Sequence, residues 1–381
     1  MSKKRFLALL LCFVTVCSAL AGCGGPAEAA SGLGNGWEPT DSMELQYADQ
    51  FGVDYYEGGY KLISFANGDR FLTIPAGSTV PEGIDADIVP LQQPLQNIYL
   101  VATSSMCLFD ALDALDSIAL SGTEADGWYN QNARAAMEAG DIVYAGKYNE
   151  PDYELILSSD CSLAIESTMI GHNPEVEEKL EDLDVPVLID QSSLEKHPMG
   201  RTEWIKLYAA LIDKETEAEA LFTEQTSYMD AVAEKGETGK TVAFFHISTS
   251  GYAVARKSGD YVSKMIELAG GKYVFDDLGD PETATATVTL EMERFYATAK
   301  DADYIIYNST IDGELHTLDE LLAKNELLRD FKAVQNGNVW CTGKNLYQET
   351  TQLGRMILDM NEMLTSDDPG LTELEFLHKL Q

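Results

Sequence analysis

Small clusters of polar and aromatic residues follow apolar runs at several points of the chain. Ser104, Ser105 and Met106 come directly after the run 98–103. Thr168, Met169 and His172 follow residues 163–166. His246 lies near the end of the run 241–247, ahead of Tyr252, and Asn345 and Tyr347 follow residues 338–341. Trp128 and Tyr129 sit in a polar, Gly-containing loop. Hydroxyls and amides of this kind hydrogen-bond to an oxygen-rich small molecule, and the rings and thioethers offer contact surface. These residues are the candidate ligand-binding set. Two of the assignments have structural alternatives: Ser105 also suits a helix cap, and Trp128 and Tyr129 equally suit rings packed down onto their loop.

Covalent chemistry finds no support. No GxSxG, P-loop or GxGxxG with a following acidic partner is present, and no nucleophile stands at a readable spacing from a base. Gly270 and Gly271 read as a helix stop. His172, His197, His246, His316 and His378 form no HxH or HExxH pattern and adjoin no Cys pair. Catalytic residues, a resident metal and a cofactor are therefore not expected.

The elements that would position the candidates alternate strand and helix. Strands are expected at 98–103, 118–120, 142–145, 163–166 and 185–189, with helices at 106–115, 132–139, 153–158 and 174–183 between them. Such alternation implies a doubly wound sheet, whose ligands meet the loops at the strands' carboxyl ends. A hairpin at Asn67-Gly68-Asp69 precedes this series. A second series runs from 241–247 through 304–307 and 338–341 to a closing amphipathic helix at 350–364.

Between the two series lies the stretch 214–235, with no Gly or Pro before Gly236. Ala218, Leu221, Phe222, Gln225, Tyr228, Met229 and Val232 recur three or four residues apart and share one helix face. Asp213 is the expected N-cap. At 1.5 Å per residue the helix would span about 33 Å. It reads as a strut joining two lobes; an ordinary amphipathic surface helix has the same periodicity. The expected fold class is α/β: two doubly wound lobes with mainly parallel central sheets, one long bridging helix and a ligand cleft between the lobes.

Residues 1–22 carry Lys3, Lys4 and Arg5, an apolar run and a small-residue end, the pattern of a secretory signal. Residues 23–45 read as a tether rich in Gly, Ala and Ser at its start. Residues 46–213, 214–235 and 236–381 are then the first lobe, the bridge and the second lobe. The formal charge of −37 disfavours nucleic acid and anionic headgroups as partners. Cys107, Cys161 and Cys341 are too far apart for a disulfide framework and read as small buried hydrophobes.

Leu20-Ala21-Gly22-Cys23 resembles a bacterial lipobox, which implies that Cys23 is acylated (palmitate among the chains) and tethers the protein to the outer face of the cell membrane. Glu166-Ser167-Thr168-Met169, Asn173-Pro174-Glu175-Val176, Val185-Pro186-Val187, Glu195, Pro198 and Gly200-Arg201-Thr202-Glu203-Trp204-Ile205-Lys206 together resemble the iron-complex branch of ABC-importer substrate-binding lipoproteins. The resemblance runs from the lipobox almost to the C-terminus.

That resemblance implies a monomeric, non-enzymatic receptor for a ferric siderophore, haem or a cobalamin-like ligand, delivering it to a permease with its ATPase. It implies one docking carboxylate per lobe: Glu154 in Tyr153-Glu154-Leu155-Ile156-Leu157, and Glu293 or its neighbour Glu291. It offers Met169 or His172, opposite His246 or Tyr252, as axial ligands of a haem iron. Bare zinc or manganese near His172, His197 and His246, and a hinge-type sugar or peptide receptor, are the alternatives. The few basic residues noted near the cleft, Arg256, Lys257 and Lys344, disfavour a strongly anionic chelate.

Overall fold

The computed structural model describes residues 33–34, 36–280 and 286–381. The signal and Cys23 lie outside them. The expected tether is shorter than 23–45 at its far end. Leu33 is buried, and β1 (Asp41–Ser42) already pairs with β2 (Phe51–Tyr55). With β3 (Lys61–Phe65), β4 (Arg70–Ile74) and β5 (Ile88–Gln92) these strands form a separate five-stranded sheet. The Asn67-Gly68-Asp69 hairpin is its β3–β4 turn, with Gly68 at φ 100°. This sheet was not separable in sequence from the lobe that follows.

The first lobe proper is β6 (Ile98–Leu100), α1 (Met106–Ala111), β7 (Ile118–Ser121), α2 (Gln131–Ala139) and β8 (Val143–Tyr144), then β9 (Gly146–Lys147), β10 (Glu150–Pro151), α3 (Tyr153–Ser158), β11 (Ala164–Ser167), α4 (Pro174–Glu181) and β12 (Val187–Asp190). Its five strands lie in the order β12-β11-β6-β7-β8, all parallel. Apolar residues cover both faces, as a parallel sheet requires. Side chains end the loops and start the helices: Asn130 accepts from Ala133 N at 2.8 Å and Asp152 from Leu155 N at 3.0 Å.

Two helices follow, α5 (Pro198–Ile212) and α6 (Glu215–Ala233). Asp213 does not cap α6. It ends α5 at φ 58°, in the left-handed region, and its carboxylate meets Lys61 Nζ at 2.6 Å. That lysine is buried and also donates to Ala210 O at 2.9 Å, so it pins the N-terminal sheet to the α5–α6 corner.

The second lobe is β13 (Thr241–Ile247), β14 (Ala253–Arg256), α7 (Tyr261–Leu268), β15 (Lys272–Tyr273), β16 (Thr287–Leu290), α8 (Met292–Ala299), β17 (Tyr304–Tyr307), α9 (Ser309–Asp312), α10 (Leu318–Lys324), α11 (Lys332–Gln335), β18 (Val339–Thr342), α12 (Leu353–Thr365) and β19 (Leu377–Lys379). The central strands β13, β17 and β18 are parallel; β14, β16 and β19 add antiparallel pairs at the flanks.

The chain passes from one lobe to the other along α6. Ala218 and Phe222 belong to the first lobe's core, Val232 to the second's, and Met229 packs against both. Helix α12 lies across α6 at Gly354, where an added Cβ would stand 2.2 Å from Gln225 O and 2.9 Å from Gln225 C. Only a glycine permits this backbone approach. Gly354→Ala is expected to destabilise the protein by about 1–3 kcal/mol, read as a lower thermal midpoint. Gly171→Ala, where nothing lies within 4 Å, should leave the midpoint unchanged.

Candidate functional site

The carboxyl-end loops of both sheets face a cavity of about 910 Å³. From the first lobe come Val101, Thr103 and Ser104 after β6, residues 122–124 and 126–127 after β7, Ser167, Thr168 and Met169 at β11, and Asp190, Ser192, Ser193 and Leu194 at β12. Lys147 and Tyr148 reach it from the β9–β10 hairpin. The second lobe contributes Arg256, Asp260, Tyr261, Ala286 and Tyr347, and Arg201 enters from the first turn of α5. A void of this size suits a chelate or macrocycle better than a bare ion.

Two guanidinium groups line it, together with Lys147 and the acids Glu124, Asp126, Asp190 and Asp260. Arg201 donates from Nη2 to Ser193 O at 2.7 Å, and its Cζ lies 3.9 Å from the centroid of the Tyr261 ring. Burial pulls its pKa down, but an arginine keeps its charge at neutral pH. Arg256 reaches Asp260 Oδ2 at 3.3 Å and donates to the Tyr347 hydroxyl. Burial opposes its charge as well; Asp260 and Tyr347 more than offset that and hold its pKa above the ordinary value. The Nε of each arginine is buried with no hydrogen-bond partner among the described residues.

The acids of the same wall are already engaged. Asp190 accepts from Ser192 N at 2.9 Å, from the Ser192 hydroxyl and from Tyr208 OH. Asp260 caps α7 by accepting from Val262 N at 3.0 Å and pairs with Arg256. Glu124 and Asp126 also line the cavity, on the first-lobe side. The basic residues noted in sequence near the cleft did not include Arg201 or Lys147, which also line the cavity.

Contacts across the cleft hold the lobes together. Gln348 accepts from Tyr129 N at 2.7 Å and donates to Gly127 O at 2.9 Å. Thr202 Oγ1 donates to Thr350 O at 2.8 Å.

The sequence candidates divide. Ser104, Thr168, Met169 and Tyr347 line the cavity. Trp128 does not: it is fully buried, and its Nε1 donates to Ser121 Oγ at 3.1 Å. Ser105 and Met106 are buried too. Ser105 spends its hydroxyl on Ala102 O at 2.7 Å and caps no helix amide, and Met106 is core. His246 is buried on β13 outside the cavity lining; burial and the nearby Arg256 push its pKa down. Tyr129, His172 and Tyr252 are exposed and Asn345 is half-buried, all outside the lining.

No proposed axial pair spans the cavity, since only Met169 of those four faces it. Nor do His172, His197 and His246 converge. His197 caps α5 by accepting from Met199 N at 3.1 Å and stacks on Tyr47 at 4.4 Å. Cys107 and Cys341 are free and buried, with burial pushing both thiols up to about 12; Cys161 is only half-buried.

Glu154 and Glu293 are exposed in the first turns of α3 and α8, and Glu291 is exposed one residue before α8. Each helix leads into a parallel strand, β11 or β17, so its first turn lies at the cleft end of its sheet.

Sequence reasoning missed Arg201, Asp260 and Tyr261. Arg201 was legible in part: it is a cation in the first turn of a helix that is otherwise almost wholly buried. It also missed Glu166, on β11, the strand that leads into Thr168 and Met169. That residue is fully buried, neither carboxylate oxygen has a partner among the described residues, and burial with nearby Glu177 pushes its pKa up to about 8.

The native state thus holds a proton on Glu166 that the unfolded chain, near 4.5, gives up. The contribution of Glu166 to stability therefore falls as pH rises from about 4.5 to about 8. Glu166→Leu is expected to flatten that part of the decline, raising the thermal midpoint at pH 8 far more than at pH 5.

Residues 101–346 match the model of the family described as periplasmic binding protein. An uncharacterised lipoprotein of Methanocaldococcus jannaschii is 24% identical, over 91% of this chain and 89% of the relative. A periplasmic haem-binding protein from Pseudomonas aeruginosa has the same fold (TM-score 0.57, 15% identity, covering 75% of this chain and 98% of that one). So does an ABC-type Fe3+-hydroxamate transport protein from Saccharomonospora viridis (TM-score 0.56, 19% identity, covering 72% and 94%). The β1–β5 sheet precedes the matched stretch.

Proposed function

Because this chain belongs to the periplasmic binding protein family, we propose that it is the solute receptor of an ABC importer, held outside the cytoplasm by lipid on Cys23, and that its cargo is a ferric chelate bearing anionic oxygens. The observation that supports the ligand class is the pair Arg201 and Arg256, one from each lobe, whose side chains line the cavity. Guanidinium groups bind carboxylate and hydroxamate oxygens through charged hydrogen bonds, which suits a ligand bearing such oxygens. The ligand classes named for the structural neighbours, haem and a ferric hydroxamate, carry such oxygens.

Other features support the same reading. The relative's description as a lipoprotein agrees with the lipobox. A single crossing by α6, rather than strands shared between lobes, argues against a hinge-type sugar or peptide receptor. The scattered His172, His197 and His246 argue against capture of a bare ion in the cleft. The family and the structural neighbours are named as binding and transport proteins, and we read this chain likewise as a binder. Glu154 and Glu293 stand at the cleft rim of their lobes, where carboxylates would set register against basic residues of a permease.

Two sets of variants separate capture from delivery. Binding of haem and several ferric siderophores is followed by tryptophan fluorescence. Arg201→Gln and Arg256→Gln are each expected to weaken the ligand that binds by about tenfold or more, the scale of a lost charged hydrogen bond. Glu154→Ala with Glu293→Ala should keep that affinity and abolish uptake in cells. Unchanged affinity in both arginine variants would refute the anionic-ligand reading; lost affinity in the glutamate pair would refute the docking roles.

A further inference from the structure

A second cluster of chemistry-bearing side chains lies on the flank of the second lobe, away from the cleft. Glu314, His316 and His378 each offer a ligand atom, and these atoms all lie within 4.8 Å of one another. Among the described residues no other three histidine, cysteine or carboxylate side chains converge in this way. None of them lines the cavity between the lobes. The spacing hides the group in sequence: two members precede α10 and the third sits on β19, near the opposite end of the lobe's chain.

The geometry is more specific than proximity. His378 Nε2 stands 2.6 Å from Leu315 O. A carbonyl only accepts, so Nε2 carries the hydrogen and donates. That fixes the ring and leaves Nδ1 as the lone-pair nitrogen, the arrangement in which a histidine ligand is oriented by a backbone carbonyl behind it. Nδ1 faces Glu314 Oε1 at 3.5 Å. With a neutral ring, two acceptors would confront each other there and require something positive between them. Two ligands at 2.0–2.1 Å from one tetrahedral zinc ion stand about 3.3 Å apart, close to the separation found.

The third group is held beside them. The His316 and His378 rings stack with centroids 5.1 Å apart. The His316 backbone is fixed by its N–H to Glu320 Oε2 at 2.7 Å and by its carbonyl, which accepts from Gln381 N at 3.2 Å. His378 is held by the β18–β19 ladder opposite Cys341. The His316 ring is exposed and the Glu314 carboxylate half-buried, so an ion could enter from solvent.

We propose that Glu314, His316 and His378 form a binding site for a divalent cation of the zinc class, independent of the cleft. Two imidazoles and one carboxylate are the donor set such ions prefer, and water completes the shell. An ion there would tie β19 to the segment that leads into α10, closing the outer edge of the second lobe's sheet.

The test is a titration of the purified chain with Zn2+ alone, in competition with a chromophoric chelator. The expected result is one equivalent bound with micromolar or tighter affinity, and a raised thermal midpoint. His316→Ala and Glu314→Gln alter side chains that are exposed or half-buried, so folding can be checked by circular dichroism. Each should weaken binding by at least about tenfold, and His378→Gln should abolish it. Zn2+ binding that is absent, or equally strong in all three variants, would overturn the proposal. In the first case the Glu314–His378 contact is an ordinary ion pair with a protonated imidazole.

Discussion

A single helix buried at its two ends in two different cores sets the terms for everything else in this protein. Phe222 of α6 is packed into the first lobe and Val232 into the second. Between them the backbone at Gln225 meets Gly354 of α12 closer than any side chain would allow. Bending this helix at its middle would disturb both cores, so its packing favours one separation of the lobes. The cleft is therefore present before anything occupies it, and its donors are already in place.

The corner beside that helix explains a stretch of sequence whose meaning was not visible in one dimension. Glu203 lies fully buried on α5 and accepts from the amides of Gln46, Tyr47 and Ala48 at 2.8–3.1 Å. Glu195 accepts from Asp49 N, Gln50 N and Trp204 Nε1; burial raises its pKa to about 7 despite these bonds. Gly200 keeps this corner close: a Cβ there would stand 3.0 Å from Tyr47 O and 3.1 Å from Glu195 Oε2 and press on both. The run Gly200–Lys206 is thus largely a clamp for the loop that joins β1 to β2, and within it Arg201 turns to the cleft. One short helical stretch anchors an added sheet and arms the cavity.

Much of the architecture was legible because it rests on periodicity. The recurrence from Ala218 to Val232 marks α6, and the apolar runs mark β6, β11, β13, β17 and β18. Site residues were read less well, because a loop's direction depends on contacts that periodicity does not encode. For Trp128 the sequence left two readings open, an exposed platform or a ring packed onto its loop, and the second holds. A turn of 3-10 helix at Ala125–Gly127 folds its indole inward, where Ser121 satisfies the N–H. Met106 follows a strand end but begins a helix whose first turn faces the core. Asp213 has the chemistry of an N-cap, yet the left-handed end of α5 places it on Lys61 instead. Arg201, Asp260 and Tyr261 meet only when two lobes face each other, and no local pattern announces that.

The claim on which the account rests is that the two lobes keep one relative position in the free protein. Spin labels at Leu157→Cys and Leu327→Cys, exposed positions on opposite lobes, report it by pulsed dipolar spectroscopy. The account predicts one narrow distance distribution without ligand. A broad or two-peaked distribution would show lobes that open and close about α6, and would contradict it.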